Sequence, residues 1–223
     1  MISKFIKGDA RRAFDVLKGG GIAIIPMDVG YTCAGGSREA LQKIFNTKKR
    51  AASKRNAMVG DMAIAEELYD LSVKAWDVIK VITEDYDLPL GAVGSCKIDH
   101  PLLQVLDEES IAASTKDGTL VMLINAGPFH SEICRLSLKE LHPIFGSSAN
   151  ISLTGTKFRV EDIDKEIIDI ADIVIDHGLR KYHFYQQSST LLNVETFEVV
   201  RKGSNYEIIA DICSRRFGVQ LTD

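Results

Sequence analysis

The sequence predicts a mixed α/β fold: a twisted mixed β-sheet with helices packed against it. Three observations carry this. Short apolar runs bounded by Gly or Pro read as buried strands, notably Ile22–Ile25 and Thr119–Ile124. Stripes at i, i+3, i+4 and i+7, such as Ala10, Ala13, Phe14 and Leu17, read as amphipathic helices. The two kinds of element intermix without strict βαβ alternation, which favours a mixed sheet over a purely parallel one.

In chain order, the first helix takes Asp9 as its N-cap and ends at Gly19-Gly20-Gly21. The strand Ile22–Ile25 is stopped by Pro26, and a polar loop, Met27–Ser37, follows. A second helix buries Ala40, Leu41, Ile44 and Phe45. Asp61–Tyr69 and Ser72–Glu84 read as helices, Leu90–Cys96 and Thr119–Ile124 as strands, and Ser131–Leu138 as a helix. Pro143–Phe145 enters a strand that ends at Gly146-Ser147-Ser148. Val160, Ile163, Ile167 and Ile168 mark one more helix, and Ile173–Ile175 a strand. Thr190–Asn193 and Phe197–Arg201 form a hairpin. Ser204-Asn205-Tyr206-Glu207 is a capping box for a last helix over about 204–214, burying Ile208, Ile209 and Ile212.

The 223 residues are 45% hydrophobic and 26% charged, with a net charge of −4, which excludes a disordered chain. They read as a single domain, 1–223, with its core over about 8–205. No apolar stretch approaches the roughly 20 residues that cross a bilayer. The N-terminal MISKFIKGDARRAFD lacks the apolar core of a signal peptide, and its Asp residues argue against a transit peptide. Cys33, Cys96, Cys134 and Cys213 form no C-x-x-C pair, and their scatter fits reduced thiols. A cytoplasmic location without membrane association is therefore expected. The five His are scattered, and no metal site is expected. Walker A, G-x-G-x-x-G and G-x-S-x-G motifs are all absent.

One segment breaks the near-neutral balance. Thr47–Asn56 carries Lys48, Lys49, Arg50, Lys54 and Arg55 and no acid. Three readings fit it: a solvated helix end, a clamp for phosphate or carboxylate, or a nucleic-acid backbone patch. A second signal is Gly146-Ser147-Ser148-Ala149-Asn150 after an apolar strand. It can aim small polar groups at a ligand or serve as an ordinary Ser/Asn turn. A third is Ser188-Ser189-Thr190, with Arg201 at the end of the partner strand.

Taken in order, these pieces resemble the YrdC/Sua5 family of threonylcarbamoyl-AMP synthases. Pro26-Met27-Asp28-Val29-Gly30-Tyr31 resembles the family's P-T-D-T-x-Y loop. Lys48-Lys49-Arg50 matches its K-x-R, and Ser148-Ala149-Asn150 its S-A-N. Ser189-Thr190 matches its S-T, and Arg201-Lys202-Gly203 its closing R-x-G. The resemblance implies a twisted sheet enclosing a basic cavity. It also implies ATP, L-threonine and bicarbonate as substrates, Mg²⁺ accompanying the ATP, and no tightly bound cofactor. Lys48 and Arg50 would be the catalytic contacts on triphosphate and carboxylate. Lys54, Ser148, Asn150, Ser189 and Arg201 would bind nucleotide, and Tyr31 and Thr32 would line the amino-acid pocket. Double-stranded RNA and a tRNA-modification partner transferase are the further partners it implies.

The chain also departs from the family pattern. Met27 and Val29 replace two loop threonines, Thr32 replaces the Gly after the loop Tyr, and Leu123 stands where an Arg is expected. Asp87-Leu88-Pro89-Leu90-Gly91 is a reduced W-P-G-P-L-T stretch, and Ala51 replaces the Pro after K-x-R. The alternative function is a catalytically degenerate nucleotide- or double-stranded-RNA-binding protein.

Overall fold

A computed structural model of the chain describes residues 2–49 and 55–222. Helix α1 (Lys4–Lys18) starts at Ser3, whose hydroxyl accepts from the Ile6 amide at 3.2 Å. Asp9, the expected cap, instead lies within the helix and is buried. Its carboxylate accepts from Arg12 at 2.6 Å and meets His177 Nε2 at 2.8 Å. Burial opposes its charge, but these two bonds hold its pKa below the usual carboxylate value. Gly19 caps the C-terminus, and Gly20 turns the chain at φ +86°.

Strand β1 (Ile22–Met27) runs through Pro26 rather than stopping there. The neighbouring β8 (Ile173–Val174) pairs with β1 only at Ala23 and Ile24, so the missing Pro N–H has no strand to serve. The expected polar loop holds strand β2 (Gly30–Gly35), which pairs antiparallel with β1 after the turn Asp28-Val29. Every β2 residue is buried, so no polar-apolar alternation announces the strand. Gly30 has φ +117°, and a Cβ there would lie 2.4 Å from Thr156 Cγ2, so only glycine fits.

Then come α2 (Arg38–Thr47), β3 (Ala57–Val59), α3 (Met62–Leu68), α4 (Val73–Lys80) with a π turn, Val81–Asp85, and β4 (Leu90–Ser95). Next are α5 (Glu108–Ser114), β5 (Thr115–Lys116), β6 (Thr119–Ile124), α6 (Pro128–Lys139) and β7 (Phe145–Ser148). Strands β3 and β5 and helix α5 are not among the elements that the local pattern predicts. The single helix expected from Val160 to Ile168 is a 3₁₀ turn, Val160–Asp162, followed by the separate short helix α7 (Lys165–Asp169). Strands β9 (Leu191–Asn193) and β10 (Val199–Arg201) form the expected hairpin. Helix α8 (Tyr206–Phe217) begins one residue after Asn205, whose φ is +61° and whose side chain makes no cap bond. The Ser204 hydroxyl has no hydrogen-bond partner among the described residues and so does not cap α8, and Ile208 is exposed rather than buried.

The strand order is β10-β9-β4-β6-β3-β7-β2-β1-β8, with β5 paired to β6. Both parallel and antiparallel pairs occur, as expected. Alternate residues of β1 feed two cores. Ala23, Ile25 and Met27 join a large cluster with Phe14, Leu17, Ile133 and Phe145. Ile22 and Ile24 join a smaller one with Tyr31, Cys33, Ile44 and Ile167. Each fully buried aliphatic side chain contributes about 1.5–3 kcal/mol. Strand β6 buries Leu120, Met122 and Ile124 and leaves Thr119, Val121 and Leu123 half-buried. Among the described residues, no helix is long and apolar enough to cross a membrane.

Candidate functional site

Helix α2 delivers Lys48 to its own C-cap, with φ −73°. The side chain does not project into solvent; the residue is 3% exposed. Its ammonium donates to the carbonyls of Ser148 and of Asn150, the latter at 2.7 Å. The Lys48 carbonyl in turn accepts from the Ser152 amide at 3.0 Å. The basic segment and the Ser-Ala-Asn turn are thus joined directly, through about a hundred residues of intervening chain. A buried ammonium is tolerable only when such acceptors replace its water. Arg50 and Lys54 lie outside the described residues.

Strand β2 holds the same turn from its other side. Thr32 pairs with Ser148 across the β2–β7 ladder. The Ala149 amide donates to the Tyr31 carbonyl at 2.8 Å. Asn150 donates from Nδ2 to the Ile151 carbonyl, while its buried Oδ1 and the buried Ser147 hydroxyl have no hydrogen-bond partner among the described residues. Unpaired buried polar atoms are costly, and others occur away from this turn, at Ser114, His142, Ser204 and Asn205. Cys33 lies in buried β2, not in a loop. Burial pushes its thiol up to about 12, against the pull of the Lys48 charge. The thiol is therefore not a reactive nucleophile.

Tyr31 is wholly buried. Its hydroxyl donates to Asp176 Oδ1 at 3.0 Å or to the Gly178 carbonyl at 2.9 Å, and accepts from the His177 amide at 3.0 Å. Burial first, and the Asp176 carboxylate with it, raise its pKa to about 12. The sequence reading did not find Asp176, Gly178 or Arg180. They lie far from Tyr31 along the chain and belong to no repeated pattern or motif.

Ser189, Thr190 and Arg201 form a second group. Arg201 Nη2 donates to the Ser189 carbonyl at 2.7 Å. The Thr190 hydroxyl donates to the Ser204 carbonyl at 3.0 Å and accepts from the Gly203 amide at 3.1 Å. Gly203 permits the approach, because a Cβ there would lie 2.3 Å from the Ser188 carbonyl oxygen. Strands β3, β6 and β4 separate β7 from β9 in the sheet, so the two groups occupy different parts of it. The registers Gly146↔Ala57, Val59↔Leu123, Leu123↔Gly91 and Gly91↔Leu191 nevertheless put Ser148, Leu123 and Leu191 on one pleat face. That face is apolar at Leu123.

Met27 and Val29, the two replacements in the loop, are buried in the large core. Asp28 between them is held by Arg180 at 3.4 Å and Lys181 at 3.9 Å. Burial pushes its pKa up although both cations pull it down. Among the described residues, no group of three or more His, Cys, Asp or Glu could hold a metal ion.

No curated protein matches the sequence. Solved structures share the fold, and three of them serve as examples. A hypothetical protein of Streptococcus mutans is 22% identical with a TM-score of 0.78, over 94% of this chain and 92% of that one. E. coli YciO is 16% identical with a TM-score of 0.67, over 89% and 90% of the two chains. Sua5 of P. abyssi, solved with L-threonine, is 18% identical with a TM-score of 0.69; 88% of this chain covers 54% of that one. A family model, Sua5/YciO/YrdC, described as telomere recombination, matches residues 15–203. That span includes β1, the Lys48 anchor, the Ser-Ala-Asn turn and the Arg201 hairpin, and the chain belongs to the Sua5/YciO/YrdC family.

Proposed function

We propose that this protein binds ATP and catalyses nucleotidyl transfer of the threonylcarbamoyl-AMP synthase type, acting in tRNA modification. The amine of threonine, or of another amino acid, would capture bicarbonate as a carbamate, forming the N–C bond with loss of water. A carbamate oxygen would then attack the α-phosphorus of ATP, and the bond to the β-phosphate oxygen would break to release pyrophosphate. Two anions must approach each other, so positive charge and orientation are the main requirements. Mg²⁺ would arrive with the triphosphate as part of the substrate.

The observation that carries this reading is the contact of the Lys48 ammonium with the Ser148 and Asn150 carbonyls. It unites the two motifs that the family resemblance ties to phosphate, and beside them the Asn150 Oδ1 and Ser147 hydroxyl have no hydrogen-bond partner among the described residues. Arg50 and Lys54 are proposed as triphosphate contacts. Ser189 and Arg201 are proposed for the nucleotide side, and Thr32, opposite Ser148, for the amino-acid side. A partner transferase would receive the unstable adenylate. The test is pyrophosphate release from ATP with bicarbonate across the amino acids. Turnover with at least one amino acid is expected; ATP binding with no turnover on any would overturn the enzymatic reading.

One observation favours the second reading, a binding protein without catalysis. Met27 and Val29 are buried in the core, and Leu123 is apolar where the family carries Arg. On that reading ATP or double-stranded RNA binds with no pyrophosphate release. RNA affinity would fall steeply with salt and with Lys49→Ala.

A further inference from the structure

The Ser-Ala-Asn turn is held on one side by Lys48 and on the other by the Tyr31 carbonyl, which accepts from the Ala149 amide. What holds Tyr31 is a segment that no motif marks. The chain from Asp176 to Tyr182 crosses the β1–β2 turn and is bonded to it at both ends. At one end, Asp176 Oδ1, the His177 amide and the Gly178 carbonyl surround the Tyr31 hydroxyl. At the other, Arg180 donates to the Met27 carbonyl at 3.1 Å, and the Tyr182 amide donates to the Asp28 carbonyl at 3.0 Å. The Arg180 guanidinium lies 5.9 Å from the Tyr31 ring centroid and also donates to the His177 carbonyl at 3.0 Å. His177 ties the segment to α1 through Asp9 at 2.8 Å.

A tyrosine buried only for packing could be replaced by Phe, without needing three polar groups to satisfy it. The bonds converge on one strand start, and that strand start is bonded to the turn proposed to bind phosphate.

We propose that Asp176–Arg180 is a strap that positions the Ser148–Asn150 turn through Tyr31, with Asp176 as a positioning residue. The chain of contact is short: the Asp176 carboxylate fixes the Tyr31 hydroxyl, Tyr31 fixes the Ala149 amide, and the turn presents Ser148 and Asn150. The consequence for ligand binding rests on the nucleotide reading above. The positioning itself does not.

The experiment measures two quantities in the full chain. One is exchange of the Ala149 amide hydrogen by NMR, with the Met122 amide in β6 as internal reference. The other is Mg-ATP affinity by calorimetry. Asp176→Ala is expected to speed Ala149 exchange about tenfold relative to Met122, the effect of losing one buried hydrogen bond, and to weaken Mg-ATP by a similar factor. Asp176→Asn keeps the acceptor oxygen and is expected to stay close to the natural protein in both. Tyr31→Phe keeps the ring and loses only the hydroxyl, so it is expected to reproduce the Ala149 effect if Asp176→Ala does not fold. The strap is overturned if Ala149 exchange is unchanged in Tyr31→Phe, if Ala149 and Met122 accelerate together, or if Asp176→Asn is as impaired as Asp176→Ala. Absence of ATP binding in the natural protein would sink the nucleotide reading instead, and the exchange measurement would still decide the strap.

Discussion

The Lys48 ammonium donates to the Asn150 carbonyl at 2.7 Å from a residue that is 3% exposed. A cation drawn from the most basic stretch of the sequence is thus spent inside the protein, fastening one backbone turn. Lys48 would reach a ligand through the turn it holds. Arg55, in the same basic stretch, likewise turns inward and donates from Nε to the Thr115 carbonyl at 2.9 Å.

Removing that ammonium takes a donor from the Ser148 and Asn150 carbonyls, although the Ser148 carbonyl keeps the Asn150 amide at 2.9 Å. Lys48→Met is expected to cost about 1–3 kcal/mol of stability, read as a lower urea midpoint at unchanged slope. It is also expected to abolish ATP binding. An unchanged midpoint would show that the turn holds itself.

Gly30 combines φ +117° with a position 2.4 Å from Thr156 Cγ2 for any added Cβ. Gly30→Ala is therefore strained in backbone and crowded in side chain. A loss of more than about 1 kcal/mol is expected in thermal unfolding, well beyond the usual cost of an exposed surface change. Gly118, with φ +76° but open space around it, is the control: Gly118→Ala carries only the backbone strain.

His130 is fully buried, and burial pushes its pKa down to about 4, although its contact with the Leu123 carbonyl and the Asp61 charge act the other way. The folded protein keeps it neutral while the unfolded chain protonates it near 6.5. The unfolded state binds more protons between those values, so stability falls as pH drops from about 6.5 to about 4 and levels off below. Its share is about 3 kcal/mol over that window. Urea unfolding across pH 4–7 is expected to show a flatter profile for His130→Gln than for the natural protein. Parallel profiles would mean that His130 does not contribute.

The thiols offer a test of burial. Cys33 is pushed up to about 12 and Cys213 to about 11, Cys134 is raised well above its ordinary value, and all three are buried. Cys96 is only half-buried, with a smaller upward shift. Titration with an aromatic disulfide at pH 8 is expected to label one thiol readily in the folded protein and four in denaturant. Rapid labelling of Cys33 would contradict its place in β2.

Local periodicity was a sound guide where an element has one buried face. The stripe Ala10, Ala13, Phe14 and Leu17 is the buried face of α1, and Thr119–Ile124 is β6 to the residue. The hairpin β9–β10 and the order of the motifs along the chain were equally legible. Periodicity failed at β2, whose residues are covered on both sides, and at α8, whose start depends on the left-handed Asn205 rather than on Ser204. The basic segment was visible in composition alone, but not the direction of any of its side chains. Sequence by itself determined the class of fold, the stripe of α1 and the presence of a basic segment and a Ser-Ala-Asn turn, because those follow from neighbours within a few residues. Tertiary structure decided that Lys48 faces the Ser-Ala-Asn turn and that Asp176 holds Tyr31. Those pairings join residues a hundred or more positions apart, and only strand register and burial bring them together.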